Sequence, residues 1–200
     1  VVGVGASAGG LEALGNFFDE MPTGLGMAFV VIQHLSPNYK SFMAELLAKR
    51  TKLAVKKAED GQIVEPDHVY LIQPGKNLTI HKGRLFTLAT TARHGFNLPI
   101  DVFFRSLADD LGDKSIAVVL SGTGSDGTIG LRAIKEAGGM VMVQSGDSAQ
   151  FDGMPRSAIQ TGLADFILKP DEMGPQLAKF VKHPFACGET SVAIEGTPEQ

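Results

Sequence analysis

The chain is 200 residues long, 44% hydrophobic and 20% charged, with 18 basic and 22 acidic side chains and a net charge of -4. This is the composition of a soluble domain with one buried core. It offers no basic footprint for a nucleic-acid backbone, and its longest apolar runs, such as 27–32, fall far short of the ~20 residues that span a bilayer, so neither nucleic acid nor membrane insertion is expected. The single Cys187 cannot form an internal disulfide, which fits a reducing, cytoplasmic setting.

In chain order, 1–4 reads as a buried strand, and Leu11, Leu14, Phe17 and Phe18 then recur at helical spacing up to the Met21-Pro22 break. A second apolar run, 27–32, ends at Gln33-His34, and Phe42, Met43, Leu46 and Leu47 mark the next amphipathic helix. Strand, helix, strand, helix predicts a parallel sheet with helices on its faces. The middle breaks this rhythm. Short strand-like runs at 53–58, 69–72, 78–81 and 84–88, with Lys82-Gly83 as a hairpin turn, are expected to form an antiparallel insertion.

Helical spacing returns at Pro99, with Ile100, Phe103, Phe104, Leu107 and Leu111 on one face. A buried strand at 116–120, a loop at 122–127, a helix at 129–137 stopped by Gly138-Gly139 and a strand at 140–143 follow. A shorter helix near 156–160, an apolar stretch at 166–168 and a helix from about 171 to 181 complete a domain spanning 1–182. Residues 183–200 are polar and aperiodic, as in a linker or disordered tail. The expected fold class is α/β: a mostly parallel, doubly wound sheet with flanking helices and a small antiparallel β insertion. The chain opens on a strand without Met, so it is expected to be a piece of a longer protein.

The opening VVGVGASAGG admits two readings. Gly3, Gly5 and Ala8 fit a dinucleotide-binding turn, while Gly5-Ala6-Ser7-Ala8-Gly9 is G-x-S-x-G, a turn that exposes a nucleophilic serine. A dinucleotide site needs Asp or Glu at the end of the second strand to bind ribose, and Gln33-His34 stands there instead. No cofactor is expected.

Ligands of an open parallel sheet bind beyond the carboxyl ends of its strands. Ser7 follows the first strand, His34 the second, and Asp126 lies in the loop after 116–120. A serine becomes nucleophilic when an imidazole accepts its proton, and the imidazole needs a carboxylate to fix its tautomer and stabilise the cation. Small neighbours let the turn place Ser7 at a helix start, with Ala8 N–H as the first oxyanion donor and the Gly122-Thr123-Gly124 loop as the source of a second. Taken singly, each residue has a plainer reading: Ser7 a helix N-cap, His34 a loop residue bonded to backbone, Asp126 a helix cap. The conjunction favours catalysis. His68, His81, His94 and His183 fall at no metal-ligand spacing and read as surface or pocket residues, and no metal is expected.

GASAGG, VIQHLSP, AEDGQIVEPDHVYLIQPG, SGTGSDG and FDGMPRSAI, five separated motifs in order between Val1 and about Phe180, resemble the catalytic domain of the CheB chemotaxis methylesterases. The resemblance implies a Ser7-His34-Asp126 triad, backbone oxyanion donors at Ala8 and Thr123, hydrolysis of glutamate γ-methyl esters on chemoreceptor helices, and deamidation of certain receptor glutamines. Many relatives carry Thr after the serine and Met in the second loop, where this chain has Ala8 and Thr123; backbone donation tolerates both changes. SGTGSDGTIGLRAIKEAGG and PIDVFFRSLADD look closer to versions fused to a receptor methyltransferase domain, which implies a fused or partner methyltransferase. The alternatives are another small-ester hydrolase and a catalytically silent interaction module in a hybrid sensory protein.

Overall fold

Strand β1 (Val2–Ala6) is buried at every position because helices cover both of its faces. The computed structural model describes residues 1–34, 42–90 and 97–182. β1 leads into α1 (Gly10–Asp19), β2 (Phe29–Gln33), α2 (Met43–Ala48), β3 (Ala54–Lys57), β4 (Gln62–Ile63), β5 (His68–Leu71), β6 (Lys76–His81) and β7 (Arg84–Ala89). Then come α3 (Pro99–Leu111), β8 (Ile116–Val119), α4 (Thr128–Glu136), β9 (Met140–Gln144), α5 (Gly153–Gln160), β10 (Phe166–Leu168) and α6 (Pro170–Lys182). Seven strands form one sheet in the order β10-β9-β8-β1-β2-β5-β3, every pairing parallel, and β4, β7 and β6 form a separate antiparallel sheet.

The alternation of side chains along each strand divides the core in two. Val2, Val4, Phe29, Val31, Ile116 and Val118 face one layer, where Phe17 and Phe18 of α1 meet Phe29 edge to face at centroid distances of 6.0 and 5.5 Å. Each such buried ring contributes about 1.5–3 kcal/mol. Val30, Ile32, Ala117 and Val119 face the other layer, beneath α3, α4, α5 and the small sheet. On that side β1 presents glycine. A Cβ at Gly5 would lie 2.7 Å from Ile100 Cγ2, so this glycine seats α3 against the sheet. The opening motif thus owes one glycine to helix packing rather than to a pyrophosphate.

One expectation is corrected. The runs at 53–58 and 69–72 were assigned to the antiparallel insertion, yet β3 and β5 extend the parallel sheet, β5 pairing with both β2 and β3. Strand direction is set by the crossover that precedes it, and a four-residue apolar run carries no sign of it. The insertion is therefore β4, β6 and β7 alone, with the hairpin turn at Lys82-Gly83 as expected.

Candidate active site

Three neighbouring strands, β8, β1 and β2, deliver the site. The β1–β2 register ends with Ala6 opposite Gln33, so one further step sets Ser7 beside His34 at the carboxyl edge. On the other side, Ser7 N–H donates to Ser121 O at 3.0 Å, which carries the β1–β8 contact one residue past β1 and two past β8. Ser7 is not the cap of α1. Gly9 holds that position in the left-handed region with φ 69, and no side chain caps the helix. The Ser7 hydroxyl makes no hydrogen bond to any described residue.

His34 and Asp126 meet directly: Nε2 to Oδ2 is 2.6 Å, with the His34 side chain 37% exposed and that of Asp126 2%. A carboxylate only accepts, so Nε2 carries the proton and Nδ1 keeps the lone pair. Asp126 is fixed by more than the imidazole. Ile100 N–H donates to Oδ2 at 3.0 Å and Asp101 N–H to Oδ1 at 2.9 Å, both from the first turn of α3, whose Pro99 has no N–H to compete. The positive end of α3 favours negative charge there. Asp126 is thus a helix cap, though of α3 and not of α4, the helix that it precedes.

The loop from Ser121 to Gly127 passes beside the serine. A Cβ on Gly122 would fall 2.9 Å from Ser7 Cβ and 2.3 Å from Met154 Sδ. The loop is tied down by Gly122 N–H to Phe151 O at 3.0 Å and Met154 N–H to Gly122 O at 2.8 Å. Ser121 is the clamp between the two turns: its hydroxyl donates to Ala8 O at 2.8 Å and accepts from Phe151 N–H at 3.0 Å, while its own N–H donates to Oε1 of buried Gln144 at 2.8 Å. The N–H groups of Ala8 and Thr123 have no acceptor among the described residues, which leaves both free to donate. A groove of about 510 Å³ starts at Ser7 and runs along α1 between Leu11 and Leu46 as far as Arg50.

Sequence reasoning names Ser7, His34, Asp126, Ala8 and Thr123 as candidates and passes over Ser121, Gln144 and Asp101, which the structure sets beside them. Ser121 had a visible signal, a hydroxyl at the end of an apolar run. Leu11, Leu46 and Phe42, read as part of the apolar pattern of two helices, are 43%, 41% and 61% exposed; the first two line the groove. His68 lies on the small side of the sheet, bonded to Pro66 O at 2.8 Å and stacked on Tyr70, and His81 is exposed; His94, His183, Cys187 and the tail from 183 to 200 lie outside the described residues. Among the described residues no group of three His, Cys, Asp or Glu side chains is placed to hold a metal, and no helix is long and apolar enough to cross a membrane.

The CheB methylesterase family model matches residues 2–177. An uncharacterised 104.1 kDa protein of Rhodobacter capsulatus is 47% identical over 139 residues, covering 70% of this chain and 14% of its own length. A Pseudomonas syringae protein named protein-glutamate methylesterase/protein-glutamine glutaminase 3 is 34% identical over 180 residues, 90% of this chain and 47% of its own. The chain thus spans less than half the length of these two relatives. The crystal structure of the Thermotoga maritima CheB methylesterase catalytic domain superimposes with a TM-score of 0.80 at 33% identity, covering 90% of this chain and 97% of that one.

Proposed function

The chain belongs to the CheB methylesterase family, hydrolases of protein-glutamate methyl esters, and from that premise we propose that Ser7, His34 and Asp126 carry out the hydrolysis. Ser7 Oγ attacks the ester carbonyl while His34 Nδ1 takes its proton, and Asp126 holds Nε2–H and stabilises the imidazolium. The Ala8 and Thr123 N–H groups bind the oxyanion. Collapse of the tetrahedral intermediate expels methoxide, which takes the proton from His34 and leaves as methanol. Water, activated by the same imidazole, then frees the glutamate carboxylate and regenerates Ser7. With a glutamine side chain the leaving group is ammonia and the remaining steps are unchanged.

The observation that carries this reading is the 2.6 Å His34–Asp126 bond one register step from Ser7, at the carboxyl edge of a parallel sheet. The apolar sides of the groove suit a neutral methyl ester on a helix, and we assign as substrate the methylated cytoplasmic helices of a chemoreceptor or a related sensory protein. A cytoplasmic location and a fused or partner methyltransferase belong to the same proposal. The test is methanol release from a methylated receptor fragment, comparing the domain with Ser7→Ala. Release that falls at least about 10⁴-fold in the variant supports the assignment. A folded domain whose Ser7 reacts with an organophosphonate but which releases no methanol points to another small ester, and one that does neither is an interaction module.

A further inference from the structure

We propose that Asp101 is a positioning residue for the triad carboxylate, acting through an exchange of helix caps between α3 and α4. Asp126 stands just before α4 yet accepts N–H groups of α3, and Asp101 stands in the first turn of α3 yet accepts from α4, with Gly130 N–H to Oδ1 at 2.7 Å. The backbone of Gly127 and Ile129 also favours the charged form of the Asp101 carboxyl. Each helix start is closed by the carboxylate that the other carries.

The exchange couples the reacting edge to the interior. Asp101 is 5% exposed, and the nearest end of α4 is only two residues from Asp126. Without the Asp101 carboxylate the first turn of α4 loses its cap, and the loop that bears Asp126 and Thr123 loses its anchor at the α4 end, while those at Ser121 and Gly122 remain. Burial pushes the Asp101 carboxyl above the ordinary carboxylate range; the nearby Asp126 charge adds to this, and the Gly130 bond opposes it. An exposed serine on the loop would cap α4 without that opposition, and would leave α3 and α4 unlinked. The carboxylate is what ties the two helices at the point where Asp126 must stay aligned with Nε2. A misplacement of about 1 Å at such a point costs on the order of 10² in rate.

This inference rests on the triad reading, and the test separates the two. The rate of Ser7 labelling by an organophosphonate is measured for the wild type, His34→Ala, Asp101→Ala and Asp101→Asn, with folding checked by circular dichroism and thermal melting. The His34 Nε2–H proton is followed in parallel as a far-downfield NMR resonance. A rate unaffected by His34→Ala overturns the triad reading itself. With that control in place, Asp101→Ala is expected to label about 100-fold more slowly and to lose the downfield resonance. Asp101→Asn, which keeps an acceptor for Gly130 but replaces the second oxygen with an amide, is expected to label more slowly than wild type by a factor of about three to ten, with a shifted resonance. A folded Asp101→Ala that labels at the wild-type rate with the resonance intact overturns the proposal. Should Asp101→Ala not fold, Asp101→Asn decides alone: slower labelling with a shifted resonance supports the role, and wild-type values for both overturn it.

Discussion

Two loops leave adjacent strands and enter helices, and they end in opposite ways. The turn from β1 to α1 closes on Gly9 with no capping side chain, so the helix start opens onto the groove and the Ser7 hydroxyl bonds none of the described residues. The loop from β8 to α4 also ends on a glycine, Gly127, yet a carboxylate from another helix closes it and its own Asp126 is bonded three times over. The difference suits the two tasks that the proposed mechanism gives these residues. A nucleophile must be free to meet substrate, whereas the group that orients the base gains from having no freedom, since catalysis depends on geometry held before the reaction begins.

The contrast is broken most severely at the locked end. Asp126→Asn turns an amide NH2 either toward Asp101 N–H or toward both Nε2–H and Ile100 N–H, so at least one contact becomes donor to donor and the charge that stabilises the imidazolium is lost; kcat is expected to fall about 10⁴-fold with KM little changed. Gly122→Ala pushes a methyl group between Ser7 and Met154, and should cost about 10² in rate and about 1–3 kcal/mol in stability by urea unfolding. Ser121→Ala removes the clamp between the two loops; about 1 kcal/mol of stability and a several-fold loss of kcat are expected. The mildest probe is pH. Because Asp101 titrates above the ordinary carboxylate range, the native state holds its proton more tightly than the unfolded chain, and stability falls as pH rises from that range through the raised value. Urea midpoints of the wild type should fall relative to those of Asp101→Asn as pH climbs through this window and level off above it; parallel curves would mean that Asp101 titrates alike in the folded and unfolded chains.

The strands that carry chemistry were legible because each ends an apolar run with a polar residue, as at Ser7, His34 and, six residues past Leu120, Asp126. Their shared edge followed from parallel topology alone. Asp101 was hidden because an acidic residue in a first helical turn is what the helix dipole favours in any protein, and its partner Gly130 is 29 residues away. β3 and β5 were misassigned because direction in a sheet belongs to connections and not to residue types. The groove at Leu11 and Leu46 was hidden for a related reason: periodicity finds the apolar face of a helix, but only the fold decides whether a core or a groove lies against it.

The bond between His34 and Asp126 joins residues 92 apart in sequence, across a sheet whose pairings are all non-local. Contacts of that range form late and slowly in folding. On the ribosome the serine and histidine emerge first, and at roughly 5–20 residues per second the carboxylate follows seconds behind, with the strands that must align it still to assemble. The proposed site is therefore incomplete until Asp126 has emerged and the strands around it have assembled, and Ser7 reactivity in a refolding chain should be among the last native properties to return.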